Sequence, residues 1–174
     1  VNLSDTFSPI KLDVSMVENQ NLHSLENVQY LIITPKDFEF HAERLANYHR
    51  INTRVSDTDS PFLNVEVVDV EKIYNEFGSG SPDITAIRDF IKYVYDRDSS
   101  EQTKLKYVCF LGDATFDYKG IIYTNKNTIP VYLHREGVNL TSSYSTDDYY
   151  AYLDKSDNVS DQQVNFRSLL DVSL

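Results

Sequence analysis

Apolar positions gather into short dense runs separated by polar stretches rich in Ser, Asp, Gly and Pro. Gln29 to Thr34 (QYLIIT) is apolar and partly β-branched, the pattern of a strand buried on both faces. A helix signal follows it. Thr34 is a capping residue type, Pro35 suits a first helical position, and Asp37 places a carboxylate in the first turn, where the helix dipole favours it. Phe38, Ala42, Leu45 and His49 then recur at helical spacing. Residues 51–63 (INTRVSDTDSPFL) have no periodicity and read as an exposed loop. Asn64 to Val70 (NVEVVDV) reads as a second strand, and EKIYNEF as a short helix ended by Gly78. After GSGSPD, with Ser81 as cap and Pro82 at the first position, Ile84, Ile87, Phe90, Ile91 and Val94 hold one face of a longer helix. Lys106 to Leu111 (KYVCFL) is a third apolar strand, closed by Gly112 and Asp113, and IPVYL at 129–133 is a fourth candidate.

Strand and helix alternating in this order predict a three-layer α/β fold, with a mostly parallel sheet between helices joined by right-handed crossovers. Residues 1–26 carry no sustained period and read as a connector from an upstream region, leaving 27–174 as the folded unit. The last stretch, VNFRSLLDVSL, looks like a further strand that stops mid-run, so the sheet is expected to be incomplete at the C-terminus. In such sheets chemistry gathers at the carboxyl ends of the strands, which singles out Thr34, Gly112, Asp113 and the loops after them.

The chain has 174 residues and a formal charge of −11, from 16 Lys plus Arg against 27 Asp plus Glu. The basic residues are scattered among carboxylates, so no concentrated face exists to neutralise phosphates and nucleic-acid binding is excluded as a function class. No apolar run approaches the roughly 18 residues that span a bilayer, and the first residues lack a basic-then-apolar leader, so no anchor or export signal is expected within the chain.

The single cysteine, Cys109, lies inside an apolar strand, where a thiol is expected to be buried and structural; a nucleophile needs exposure and a cationic neighbour. The histidines at 23, 41, 49 and 134 show no metal-ligand spacing. No GxSxG elbow, phosphate loop, GxGxxG or CxxC pair is present. Asp113 is the first candidate binding residue, because an Asp after a buried strand can bind a cation, orient a catalytic group or take backbone N–H bonds from its own turn. A phosphoryl-accepting role lacks the acidic pair after the first strand. Asp113, Asp117, Asp147 and Asp148 together supply hard oxygen ligands for a possible calcium ion, without the spacing of an EF-hand; a solvated acidic edge is the alternative.

Three segments carry a resemblance when taken in order: YLIITPKDF at 30–38, VEVVDVEKIYNEFGSGSPDITAIRDFIKYVYD at 65–96, and KYVCFLGDATFDYKG at 106–120. Together they resemble the gingipain family of cysteine peptidases. Within it, SSYSTDDYYAYLD at 142–154 is most similar to the sortase of the type IX secretion system. The resemblance implies a caspase-like domain of two side-by-side subdomains, of which 27–174 is the first. It implies a site at the bacterial cell surface, on the extracellular face of the outer membrane. The family's catalytic His, in a Gly-His motif, and its Cys belong to the second subdomain. Cys109 does not match that nucleophile, none of the four histidines follows a glycine, and Asp171 occupies the position of an acid that orients the catalytic His.

The implied function is the non-catalytic first half of a peptidase or sortase that removes C-terminal sorting domains from secreted cargo and passes the cargo to a surface lipid. The implied partners are the second subdomain of the same protein, the secreted cargo, and other secretion components at the outer membrane; no cofactor is required. Two alternatives stay open: a stand-alone acidic α/β module binding a cation or a protein, and part of a secreted gingipain-like endopeptidase. An unfinished apolar edge near residues 164–174 would separate the first reading from the stand-alone module.

Overall fold

Five consecutive residues with almost no polar surface can only be a central strand, and β1 (Tyr30–Thr34) is one, buried from Leu31 onward. It lies between β2 (Val65–Asp69) and β3 (Tyr107–Phe110), both parallel to it, in the order β2-β1-β3. The register pairs Tyr30 with Val65 on one side and with Tyr107 on the other. The sheet is described by a computed structural model over residues 21–53, 62–100, 103–117, 120–122, 128–134, 144–154 and 170–174.

The chain then returns to the free edge of β3. Val108 donates to the carbonyl of Ser173 (2.8 Å) and Ser173 donates to that of Lys106 (2.9 Å), a parallel bridge that begins a fourth position in the sheet. Of the edge expected at 164–174, only 170–174 lies within the described residues, and there Ser173 is paired with β3.

Successive side chains of a strand alternate in face, and the helices sort accordingly. Ile32, Val65 and the partly buried Tyr30 pack against Ala42, Ala46 and Leu45 of α1 (Glu39–Asn52). Leu31, Ile33, Val68 and Val108 face the other way, onto α2 (Val70–Phe77) and α3 (Ile84–Arg97). The β1-to-β2 connection and the β2-to-β3 connection move in opposite directions along the sheet, so right-handed crossovers place their helices on opposite faces.

Helix starts differ from the sequence expectation in a consistent way. Thr34 does not cap α1; its hydroxyl donates to the carbonyl of Leu111 (2.8 Å), tying the ends of β1 and β3 together. Pro35 leads into a 3-10 turn at Lys36–Phe38, and the α-helix begins after it. The cap of α3 is Asp83, whose carboxylate accepts from the N–H of Thr85 (2.8 Å), not Ser81. Asp69 caps α2 in the same manner through Glu71. Gly78 ends α2 as expected, and a Cβ there would stand 2.8 Å from that of Ala86, so the absent side chain lets α2 and α3 close on each other.

The candidate strand at 129–133 divides into β5 (Thr128–Pro130) and β6 (Tyr132–His134). β5 pairs in parallel with β4 (Asp113–Thr115), and β6 pairs antiparallel with β7 (Tyr144–Thr146). The end of the expected connector is also fastened down. Leu22 is buried against the larger core, its N–H donates to Glu76 (2.8 Å), and His23 stacks on Phe77 at 4.6 Å. Residues 1–20, 54–61 and 161–169 lie outside the described residues. Among the described residues no helix is long and apolar enough to cross a membrane.

Candidate functional site

The carboxyl ends of the three strands meet at Thr34, Asp69 and Leu111. Leu111 donates to the carbonyl of Ile33 (2.9 Å) beside the Thr34 bond, so the β1–β3 end is closed by hydrogen bonds. Gly112 lies against Pro35, where a Cβ would stand 3.0 Å from the ring. The space at this end opens instead beyond β2. There a cleft of about 420 Å³ lies between the amino half of α2, the turn through Gly80 and Pro82, and β5. Its α2 wall is Val70, Glu71, Tyr74 and Asn75. Burial raises the Tyr74 phenol above its ordinary range, and the carboxylates of Glu71, Asp83 and Asp69 add to the effect. The phenol is therefore neutral.

Asp113 is exposed at the start of β4. The carboxylate that organises the following turn is Asp117, which accepts from the N–H groups of Ile121 (2.9 Å) and Ile122 (2.7 Å). Partial desolvation raises the pKa of Asp147, and the neighbouring Asp148 raises it further. Among the described residues no three His, Cys, Asp or Glu side chains group so as to hold a metal, and the four aspartates expected as calcium ligands are not brought together.

Asp171 lies just ahead of Ser173, which pairs with Tyr107, so it sits at the amino end of the sheet, opposite the carboxyl ends. One of its oxygens accepts from the N–H groups of Leu153 (2.7 Å) and Asp154 (3.1 Å), and the other lies 3.5 Å from the Tyr95 hydroxyl. From the far side Arg88 donates to the carbonyl of Tyr152 (2.9 Å) and Lys92 to that of Leu153 (2.6 Å). The turn after Tyr150 is thus held by its carbonyls on α3 and by its N–H groups on Asp171. Sequence reasoning missed this clamp; the signal available was two cations one helical turn apart on α3, at 88 and 92. Tyr150 itself is fully buried, and its hydroxyl donates to the carbonyl of Pro130, joining the turn to β5.

Cys109 is half-buried rather than enclosed, because α1 covers β1 and β2 and leaves the Tyr107, Cys109 and Leu111 side of β3 partly open. Beside it is the Tyr30 phenol, whose pKa is pushed up to about 12 by burial first and by Cys109 second. His49 stands edge-on to Tyr30 at 5.0 Å, with Nδ1 bonded to the Thr53 hydroxyl (2.9 Å). His23 is paired with Glu76 (2.7 Å) and His41 is exposed beside Phe40.

The model of peptidase family C25 matches residues 23–165, and the chain belongs to that family, the gingipain family of cysteine peptidases. Among solved structures it is similar to dimeric latent PorU from Porphyromonas gingivalis, with a TM-score of 0.61 and 30% identity. The likeness covers 81% of this chain and 13% of that one, so this chain spans a small part of its structural relative. The fold is a caspase-like fragment similar to PorU. Comparison with curated proteins gives no match.

Proposed function

We propose that this chain is the non-catalytic first half of a cell-surface cysteine peptidase of the sortase type. The whole protein removes C-terminal sorting domains from secreted cargo and transfers the cargo to a surface lipid. The observation that carries this reading is the likeness to PorU, at 30% identity over 81% of the chain, within a matched cysteine peptidase family. In family chemistry a thiolate attacks a peptide carbonyl, an imidazole moves the protons, and N–H groups hold the oxyanion. The chain's own thiol is read as structural: it lies on β3 within the sheet, half-buried beside the Tyr30 phenol. What the chain supplies is the sheet, its helices and the clamped 151–154 turn, against which the second subdomain docks on the extracellular face of the outer membrane.

Cleavage of a cargo protein that bears a C-terminal sorting domain tests the reading, using this chain and the whole natural protein side by side. The whole protein is expected to cleave in a thiol-dependent manner and this chain to be inactive. Thiol-dependent cleavage by this chain alone overturns the proposal.

A further inference from the structure

β2 is an edge strand: β1 pairs with it on one side, and among the described residues no strand pairs with it on the other. Tyr30 lies opposite Val65 and donates to the carbonyl of Asn64 (3.1 Å). In a parallel ladder Asn64, Glu66 and Val68 therefore turn their backbone groups toward β1, while Val65 and Val67 turn theirs away from it. An outward row of N–H and C=O groups on a valine-rich strand is a template for pairing with another chain. At the opposite edge of the sheet the corresponding groups of Lys106 and Val108 are taken by Ser173.

At β2 the outward carbonyl of Val65 is taken by a side chain instead. Arg50, near the end of α1, donates to it through both Nε (3.0 Å) and Nη2 (2.7 Å). Its Nη1 donates to Asn47 (3.0 Å) and to Glu43 (2.8 Å), one and two turns back on the same helix. The planar fork of the guanidinium is thus fixed by its own helix across the acceptor that an incoming strand would need. Burial raises the carboxyl of Glu66, the next residue on β2, above the ordinary carboxylate range, and Arg50 pulls it back, so the cation acts along the edge as well as on one carbonyl. A strand pairing here would have to displace the guanidinium and strip water from its ion pair with Glu43, which costs free energy that one backbone bond does not return.

We infer that Arg50 closes the outer edge of β2 to strand addition, and that the partner it keeps out is the same edge of a second copy of this chain. Two identical edges are self-complementary: set antiparallel about a two-fold axis, the outward groups of Val65 and Val67 on one copy meet those of the other. The inference stands apart from the peptidase reading, because the edge is closed in the same way whatever the whole protein cleaves.

The test is sedimentation velocity over a wide concentration range on the intact chain, unsubstituted and as Arg50→Ala or Arg50→Gln, with amide hydrogen exchange followed at Val65 and Val67. Association through other surfaces is common to all three chains, so the difference between them is what is read. Arg50→Ala is expected to raise the weight-average mass at the highest concentrations about twofold over the unsubstituted chain, with exchange at Val65 and Val67 slowing as concentration rises. Arg50→Gln, of similar length and without the charge, is expected to do the same more weakly, and it carries the test where Arg50→Ala does not fold. Sedimentation of the folded variants identical to that of the unsubstituted chain, or an added association that leaves exchange at Val65 and Val67 unchanged, overturns the inference.

Discussion

The two faces of the central sheet are built to different depths. On one, α2 and α3 bring Ile73, Ile87, Phe90, Ile91 and Val94 onto β1 and β3, and the later chain adds Tyr150, Ala151 and Leu153 to the same cluster. On the other, α1 offers little more than Ala42, Ala46 and Leu45, and its outward side carries Phe40, Tyr48 and Ile51 at 71%, 59% and 67% exposure. The contrast follows from connectivity. The single crossover from β2 to β3 carries two helices, α2 and α3, and covers one face, whereas the crossover from β1 to β2 carries only α1 and covers the other. Stability of the chain is therefore concentrated on the α3 face, and the α1 face, with the Tyr107, Cys109 and Leu111 side of β3 beside it, is the thinner half.

Core truncations break the comparison most sharply. Phe90→Ala is expected to lower the unfolding free energy by about 3–5 kcal/mol, while Leu45→Ala on the thin face lowers it by about 1–2 kcal/mol, both read by denaturant unfolding. Equal losses would remove the distinction between the faces. Gly78→Ala forces a Cβ toward that of Ala86 and so strains the α2–α3 contact on the thick face; a loss of about 1–3 kcal/mol is expected by the same measurement.

The 151–154 clamp sharpens the comparison next. Asp171→Ala leaves the N–H groups of Leu153 and Asp154 without their acceptor and is expected to cost about 1–3 kcal/mol. Asp171→Asn keeps an acceptor oxygen and costs less, and faster amide hydrogen exchange at 153 and 154 separates the clamp from a general loss of stability.

On the thin face the Tyr30 phenol gives a pH signature. Its folded pKa of about 12 lies above the ordinary value of 10, so above pH 10 the folded state holds the proton that the unfolded state releases. Its contribution is fully present below pH 10 and is lost as pH rises toward 12. Tyr74 and Tyr150, raised by burial, act in the same direction on the thick face. Unfolding free energy followed from pH 9 to 12 should fall, and Tyr30→Phe should make the fall shallower. The smallest expected effect is that of calcium: with no converging ligand set among the described residues, millimolar calcium should leave the thermal midpoint unmoved.

What the sequence made legible follows the same division. The three central strands and the apolar face of α3 are read directly, because dense β-branched runs and helical spacing need no tertiary partner to be recognised. The short strands β4 to β7 were not legible as pairs: each holds three residues, and pairing depends on segments brought together by the fold. Thr34 shows how a capping residue type misleads when a neighbouring strand end offers its hydroxyl a better acceptor. Asp171 shows the limit for sites. Its partners include the Leu153 and Asp154 N–H groups, 18 and 17 residues away, and the Tyr95 hydroxyl, which no local pattern reports.

The central claim is that this chain frames a C25 peptidase whose nucleophile lies outside it. The most direct measurement is thiol-dependent cleavage of a cargo protein with a C-terminal sorting domain by the whole natural protein carrying Cys109→Ala. The account predicts cleavage within about twofold of the unsubstituted protein, since the substituted thiol contacts Tyr30 within the sheet and no reacting group. Loss of cleavage in a variant that still folds would make Cys109 the nucleophile and contradict the account.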